Sequence, residues 1–404
     1  MMEKTIIRHA SVVLAEQVLA DHQVRLCDGK IVSVVPDTSV TPINETHVVD
    51  AQGSYLVPGF IDLHTHGVHE YLIDNGSEDL ARMCEILPQY GVTGFLPTVC
   101  PRPKGADSEF LATLSTVESK GATMLGFHLE GPFLTITGAL PEEALGANDL
   151  ERVKALVAAA APYPAVFSIS PDFEGIGDLL PLMTANETPV FITHTKADVK
   201  QTQAAIDGGA RHATHFYDVF YAPDEMDGGV RPCGAVEAIL ADGRVSVDFI
   251  LDGEHVDPVA IEMALQCKGA GGVCLITDSN IGAGLPPARY GFGKDEVEIK
   301  YPGGPARMTE NSRFPCGLAG SGLTMDRVVR NAVEMLGVDL PQAIRMVSGN
   351  PAKVLGLQDQ KGKIAEGYDA DLVLLNRDLE VEQTWVGGKS VWEGRGSGVE
   401  GKKT

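Results

Sequence analysis

The sequence is poor in basic residues. Its 404 residues include 32 Lys and Arg against 55 Asp and Glu, which gives a formal net charge of −23 at pH 7. A surface with this excess of negative charge repels polyanions, so a nucleic-acid partner or an anionic membrane partner is disfavoured. A small anionic substrate that is held by one or two local cations is still compatible with this composition.

Long apolar runs and paired cysteines are also missing. No apolar run approaches the ~18–20 residues that a membrane-spanning helix needs. The first segment, MMEKTIIRHASVVLAEQ, is interrupted by charge and lacks the apolar core of a signal peptide. The seven cysteines are scattered and include no CxxC pair. We therefore expect reduced thiols and a cytoplasmic location.

Both ends of the chain carry β-branched runs that are separated by glycine-containing turns. TIIRHASVVLA and HQVRLCDGKIVSVVP near the start resemble DADLVLLNRDLEVEQTWVGGKSVWEG near the end in this respect. The pattern predicts that residues 1–55 and 355–398 pair into one small β-sandwich domain. Residues 56–354 then form a second domain, and the polar, glycine-rich residues 399–404 are expected to be a flexible tail.

Residues 56–354 contain eight short apolar runs that alternate with stretches of helix-forming residues. Near-continuous apolar strands that alternate with helices predict buried parallel strands. Eight such units suit a (β/α)8 TIM-like barrel. An open, doubly wound sheet is the alternative, but no GxGxxG or Walker loop marks its nucleotide site. The eight runs are GFIDLHTH, TGFLPTV, MLGFHLEG, AVFSISP, PVFITHT, HATHFYD, VSVDFILDG and GVCLITDS.

Chemically active side chains recur at the ends of these runs, which favours the barrel because its active sites form at the carboxyl ends of the strands. His64 and His66 stand two apart, so their side chains point to the same face of one strand. Imidazoles are uncommon in apolar strands unless something binds them. The candidates are His64, His66, Glu130, His194, His215 and Asp278.

This set of side chains is typical of a divalent metal site. Four imidazoles with one or two carboxylates suit zinc, and also iron, cobalt or manganese. Because five ligands and an aspartate exceed what one tetrahedral ion uses, we expect two ions per chain that are bridged by Glu130. A metal makes water nucleophilic at neutral pH, and Asp278 would accept its proton and pass it to a leaving amine.

Seven motifs in this order resemble the amidohydrolase superfamily and, more narrowly, the N-acetylglucosamine-6-phosphate deacetylase family. HLEGPF is the most specific, because it places a glutamate at the third strand, whereas other branches bridge two metals with a carboxylated lysine on the fourth. The fourth run here, AVFSISP, offers no lysine. The motifs are PGFIDLHTHG, GFHLEGPF, ITHT, THFYD, DGEHVD, LITDS and LAGSGLTM.

The resemblance implies roles for individual residues. Glu130, His194 and His215 correspond to the core metal ligands, and Asp278 corresponds to the catalytic acid and base. His64 and His66 match the members that hold a second metal.

For the substrate, the resemblance implies that His255 contacts the sugar phosphate. It also implies that Arg231 reaches the phosphate in a neighbouring subunit, and therefore a homodimer. The remaining substrate-lining positions that it implies are Ala139, Asp218, Val219, Leu318, Ala319, Gly320 and Ser321.

Two positions depart from the family pattern. Asp218 stands where the family has an asparagine that holds the phosphate, and a carboxylate repels a phosphate in a dry site. Leu140 follows Ala139 where the family has a histidine near the acetyl carbonyl, so metal would have to stabilise the developing oxyanion. The resemblance therefore supports the reaction type more strongly than it supports a phosphorylated substrate.

Three functions follow from these observations. The first is a metal-dependent deacetylase that acts on N-acetylglucosamine 6-phosphate. The second is an amidohydrolase that acts on a non-phosphorylated N-acyl sugar or amino acid. The third is a barrel that has lost catalysis and serves as a binding protein, against which the intact ligand set argues. Residues 283–315 read as an insertion after the eighth strand, with a hairpin of its own.

Overall fold

The computed structural model of the chain describes residues 4–38, 47–225 and 227–394. The expected tail at 399–404 and the last residues of the predicted terminal domain lie outside these ranges. Five strands open the chain, and each is bounded by polar or glycine-containing turns. They are β1 (Lys4–Val13), β2 (Val18–Cys27), β3 (Lys30–Pro36), β4 (His47–Asp50) and β5 (Tyr55–Pro58).

The eight predicted apolar runs all contain strands, and these strands pair in parallel. The order around the barrel is β6, β9, β11, β12, β13, β14, β15 and β16. The strands of this central region are β6 (Phe60–Thr65), β7 (Gly67–Val68), β8 (Tyr71–Leu72), β9 (Val92–Val99), β10 (Thr123–Met124), β11 (Phe127–Glu130), β12 (Ala165–Ile169), β13 (Val190–Ile192), β14 (Ala210–Ala213), β15 (Ser246–Ile250) and β16 (Val273–Ile276).

The ring is joined where the last residues of β6 contact the residues just beyond β16. Thr65 and Ser279 form a parallel bridge, and the Asp278 backbone N–H donates to the His64 carbonyl at 3.0 Å. The barrel prediction is therefore confirmed, and the open-sheet alternative is wrong. This closure brings the end of the first strand beside the end of the eighth.

Seven helices of the described residues lie between the barrel strands. Asp149 and Asp198 cap two of them, since each carboxylate accepts a backbone N–H of the first turn, and proline follows the Asp257 cap of another. They are α1 (Ser77–Ile86), α2 (Ala106–Leu114), α3 (Leu150–Ala160), α4 (Ile176–Met183), α5 (Val199–Asp207), α6 (Ala235–Ala241) and α7 (Pro258–Lys268). Short 3-10 turns span Ile73–Asn75, Leu87–Tyr90, Glu142–Ala144 and Ala185–Glu187.

The predicted insertion, residues 283–315, supplies three strands of a four-stranded antiparallel sheet, and the fourth strand follows it. The strands of the sheet are β17 (Ala288–Phe292), β18 (Asp295–Ile299), β19 (Pro305–Met308) and β20 (Leu318–Ser321), in that order. Val297, Ile299 and Met308 of this sheet pack with Leu72 from the barrel side. The sheet is thereby held above the carboxyl ends of the barrel strands, beside the predicted ligands.

The chain ends with α8 (Met325–Leu336), α9 (Leu340–Val347), α10 (Gly349–Val354), β21 (Leu372–Leu375), β22 (Val381–Val386) and β23 (Lys389–Glu393). β21 pairs antiparallel with β5, which joins the two ends of the chain in one eight-stranded sheet. This sheet has its own apolar core around Trp385, separate from the barrel core. The pairing of the two ends is confirmed, and the domain boundaries stay a prediction.

No helix in the described part of the chain combines the length and apolar character that crossing a membrane requires.

Candidate metal centre and active-site cavity

The predicted ligands leave the barrel at the carboxyl ends of five strands. Glu130 is the last residue of β11, and His194, His215 and Asp278 each stand two residues beyond β13, β14 and β16. These last three have positive φ angles of 46°, 34° and 43°. A non-glycine residue in this region costs on the order of 1–3 kcal/mol, and such residues cluster at functional sites.

One group of donors surrounds a single point at the end of the first strand. The Nε2 atoms of His64 and His66 lie 3.1 Å apart. Both lie 3.4 Å from Asp278 Oδ1, and they lie 3.6 and 3.2 Å from Glu130 Oε2. Tetrahedral ligands at the zinc–nitrogen distance of about 2.0–2.1 Å are separated by about 3.3–3.4 Å. The spacing of these four atoms therefore suits one zinc-sized ion.

The second group uses the other oxygen of the same glutamate. Glu130 Oε1 lies 2.9 Å from His215 Nε2 and 3.4 Å from His194 Nε2. All six residues of the two groups are buried. Glu130 thus presents one carboxylate oxygen to each group, which is the arrangement of a bridging ligand.

The hydrogen bond of the His194 ring tests whether a cation fits here. Its Nδ1–H donates to the Ile136 carbonyl at 2.9 Å, so the neutral ring carries a lone pair on Nε2. That lone pair faces the Glu130 carboxylate, which repels it unless a cation lies between them. Asp278 Oδ1 is likewise buried and has no hydrogen-bond partner among the residues that the structure describes. Both observations fit a bound divalent cation.

The buried charges shift the pKa values of the group strongly. Burial alone would raise the pKa of Glu130, but the surrounding histidines hold it well below its usual range. Burial opposes the charged form of His66 and His215, yet Glu130 raises their pKa values to about 9 and about 10. Without a metal, the carboxylate therefore holds protons on the imidazoles. A metal ion must displace these protons when it binds.

Several residues that the sequence analysis did not single out hold the candidate ligands in place. The buried Asp62 carboxylate accepts from the Thr65 and Thr277 hydroxyls, which ties β6 to β16. Burial raises its pKa to about 6 against these hydrogen bonds. The Thr214 hydroxyl lies 3.0 Å from His64 Nδ1. The alternation in FIDLHTH places Asp62 on the same face as His64, which was an available indication of its position.

Asp248 supports the second group in the same way. One oxygen accepts the backbone N–H of His215, and the other lies 2.8 Å from His212 Nε2. His128 is also buried, and its ring lies between the hydroxyls of Thr98 and Ser168. Ser168 belongs to the fourth barrel strand, which carries no lysine. Among the described residues, Glu130 is the only carboxylate that faces both ligand groups.

A cavity opens over the two groups. Six of the nine substrate positions implied by the resemblance line it: Ala139, Asp218, Val219, Leu318, Ala319 and Gly320. Leu140 lines it as well, as do residues that the sequence analysis did not single out, among them Cys100, Asn280, Phe292 and Arg313. Phe292 and Arg313 belong to the insertion, so the insertion contributes directly to the site.

The other three implied positions lie outside the cavity lining. The Ser321 hydroxyl donates to the Thr277 carbonyl and is fully buried. The Arg231 side chain is 75% exposed and pairs with Glu237 at 2.7 Å. The His255 ring is buried, with Nδ1 2.7 Å from Asp252, and its Nε2 has no hydrogen-bond partner in the described part of the chain. These contacts leave the substrate roles of the three residues as predictions.

Comparison with known proteins gives matches along nearly the whole chain. Residues 55–391 match the amidohydrolase family. The N-acetylgalactosamine-6-phosphate deacetylase of Escherichia coli O157:H7 is 31% identical over 393 residues, which cover 95% of this chain and 98% of that protein. The N-acetylglucosamine-6-phosphate deacetylase of Bacillus subtilis (strain 168) is 31% identical over 390 residues, covering 94% and 95%.

Solved structures agree with these sequence matches. The N-acetylglucosamine-6-phosphate deacetylase of Pasteurella multocida superposes with a TM-score of 0.84 at 27% identity, covering 96% of this chain and 99% of that one. The Mycobacterium smegmatis enzyme of the same name also superposes with a TM-score of 0.84 at 27% identity, covering 96% of this chain and 100% of that one.

Proposed function

Because the chain belongs to the amidohydrolase family, we propose that it is a metal-dependent deacetylase of an N-acetylated hexosamine 6-phosphate. It cleaves the acetamide and releases acetate and the free amine. The observation that carries this proposal is the Glu130 carboxylate, whose two oxygens each face a pair of histidines beneath a cavity. The names of the relatives supply the substrate class.

The metal content is part of the proposal. Two ions per chain are supported by the two donor groups that share Glu130. Zinc is favoured by the imidazole-rich donor set, and iron, cobalt and manganese accept the same ligands. A divalent ion in this site supplies Lewis acidity, which lowers the pKa of a water from 15.7 towards about 7 and polarises a carbonyl.

Asp278 is proposed to move the proton. Its Oδ1 is buried, has no hydrogen-bond partner, and faces the same point as the His64 and His66 Nε2 atoms. A carboxylate there takes the proton of the attacking water and donates it to the departing nitrogen, which needs a proton to leave as an amine. Leu140 lines the cavity and offers no polar group to the acetyl carbonyl. Charge on the carbonyl oxygen is therefore left to the cation.

Two epimeric substrates are named by the relatives. N-acetylglucosamine 6-phosphate is the substrate in the names of most relatives, and N-acetylgalactosamine 6-phosphate is the substrate in the name of the Escherichia coli O157:H7 relative. The two sugars differ only in the orientation of one hydroxyl. We propose the glucosamine derivative as the main substrate. The non-phosphorylated alternative is not favoured by these names.

A homodimer and a cytoplasmic location complete the proposal. The Arg231 guanidinium is exposed and lies outside the lining of the cavity in its own subunit, which supports a role at the site of a neighbouring subunit. A sugar phosphate carries two charges and does not cross a bilayer unaided, so an enzyme of this substrate works where the phosphate is attached. The free cysteines agree with a reducing compartment.

Acetate release tests the function directly. Metal-loaded protein is assayed with N-acetylglucosamine 6-phosphate, its galactosamine epimer and N-acetylglucosamine, and metal is measured by elemental analysis. We expect about two ions per chain and the highest kcat/KM for the glucosamine phosphate. Equal or faster turnover of the sugar without phosphate contradicts the substrate assignment. Protein that never retains metal and releases no acetate supports the non-catalytic barrel instead.

A further inference from the structure

The insertion after the eighth barrel strand brings a cation to the cavity. Arg313 lies in the connection between β19 and β20, and it lines the cavity together with Phe292 of β17. Among the described residues of the lining, Arg313 is the one lysine or arginine. The carboxylates of Glu130, Asp218 and Asp278 line the same cavity. Because Glu130 and Asp278 face the proposed metal ions, Asp218 is the carboxylate of the described lining that remains to repel an anionic substrate.

Arg313 has unused hydrogen-bonding capacity. Its Nη2 donates to the Ala139 carbonyl at 3.0 Å, which holds the guanidinium against the loop that follows β11. Within the described part of the chain, its remaining N–H groups make no hydrogen bond. The nearest carboxylate is Asp295, whose Oδ2 lies 3.9 Å from Nε. The side chain is 48% exposed, so it stands at the mouth of the cavity and not in its floor.

Other basic groups near the site are committed elsewhere. Arg231 pairs with Glu237 outside its own cavity. Arg102 donates to the Asp74 carbonyl at 2.7 Å and stacks on Phe110. A guanidinium with free N–H groups matches a phosphate well, because its planar fork can donate two parallel hydrogen bonds.

We propose that Arg313 binds the phosphate of the substrate and so determines the preference for the phosphorylated sugar. This contact holds the phosphate near the insertion and away from the Asp218 carboxylate. The positive charge of Arg313 offsets the repulsion between that carboxylate and the phosphate. This inference rests on the proposed function, because it assumes a sugar phosphate as the substrate. It explains how a cavity lined by three carboxylates accepts a dianion.

The test compares two substrates in matched variants. kcat and KM are measured with N-acetylglucosamine 6-phosphate and with N-acetylglucosamine for the wild type, Arg313→Gln, Arg313→Lys and Arg289→Gln. Arg289 is the control, since it lies in the same insertion, pairs with Glu298 and does not line the cavity. Calorimetric binding of glucosamine 6-phosphate, the product, gives a second readout that does not depend on turnover.

We expect Arg313→Gln to lower kcat/KM for the phosphosugar about 10–100-fold more than for the sugar, mainly through KM. Arg313→Lys should recover part of this loss, and Arg289→Gln should match the wild type. The product should bind Arg313→Gln about 10–100-fold more weakly.

An equal loss on both substrates overturns the proposal and indicates a role at the carbonyl or in packing. An unchanged preference also overturns it. A wild type that releases no acetate from the phosphosugar contradicts the proposed function and, with it, this inference. When the wild type is active on the phosphosugar, the results for the Arg313 variants test the inference alone.

Discussion

Replacing Asp278 by Asn removes the proposed proton carrier and changes little else. The carboxylate is 6% exposed, and its Oδ1 has no hydrogen-bond partner among the described residues. An amide of the same shape cannot accept a proton from water or donate one to the leaving nitrogen. General acid–base catalysis contributes about 10²–10⁴-fold, so kcat should fall by this factor, which corresponds to about 2.7–5.4 kcal/mol.

The fold and most of the metal site should survive this substitution. Asp278 has a φ of 43°, and asparagine is among the residues that tolerate the left-handed region best. Its backbone N–H donates to the His64 carbonyl at 3.0 Å and its carbonyl accepts from Ser321 at 2.7 Å, and neither bond uses the side chain. Glu130 and the four histidines are unchanged in the variant.

The assay combines steady-state kinetics of acetate release with elemental analysis of the same samples. Asp378→Asn is the matched control, because Asp378 is exposed and lies far along the chain in the turn before β22. We expect the control to retain wild-type kcat and the Asp278 variant to retain wild-type KM within about threefold, since the ground-state contacts remain.

Two results would refute this reasoning. A fully metal-loaded Asp278→Asn protein with more than a tenth of the wild-type kcat would show that another group moves the proton. A protein that loses activity only in proportion to its lost metal would make Asp278 a ligand rather than an acid–base residue.

Three further changes follow from the same site. Glu130→Gln should reduce the retained metal from about two ions per chain towards none and lower kcat at least about 100-fold, because both donor groups lose their shared carboxylate. Elemental analysis after dialysis measures the retained metal, and an undiminished metal content would contradict this prediction. Asp218→Asn should lower KM for the phosphosugar a few-fold if its carboxylate repels the phosphate, and an unchanged KM would place that charge away from the substrate. His255→Gln should destabilise the protein more at pH 6 than at pH 9. Burial opposes the charge of His255, but Asp252 raises its pKa above the ordinary 6.5, so its contribution is full below that value and is lost as pH rises through the folded pKa. The contact with His255 lowers the pKa of Asp252 from 3.8, so the contribution of Asp252 to stability is lost only in acid. Urea unfolding at pH 6 and pH 9 measures the loss of stability in the variant. Equal losses at the two pH values would argue against a charged pair.

The barrel and the positions of the candidate ligands were predictable because the relevant pattern is local. The eight apolar runs form buried parallel strands, whose carboxyl ends lie at one rim of the barrel. A candidate ligand at the end of a run therefore lies at that rim. His64 and His66 share a face through the two-residue period of a strand. For the same reason Asp62 was accessible to prediction, although it was overlooked.

The supporting and recognition residues were not predictable in this way. Thr214 contacts His64 of the non-adjacent first strand, and Asp248 contacts the His215 backbone from the adjacent seventh strand, so these contacts exist only once the barrel has closed. Arg313 lies nearly a hundred residues beyond His215, within an insertion whose position above the rim depends on packing against Leu72. No spacing rule in the sequence connects these positions.

The sequence by itself therefore determined the alternation of strands and helices, the pairing of the chain ends and the choice of candidate metal-binding side chains, since each follows from periodicity or from residue type. The tertiary structure alone decided that one oxygen of Glu130 faces each pair of histidines, and that an arginine from the insertion stands at the mouth of an otherwise acidic cavity. Those relations depend on closing the barrel and seating the insertion on it, which are contacts between distant residues that local pattern does not encode.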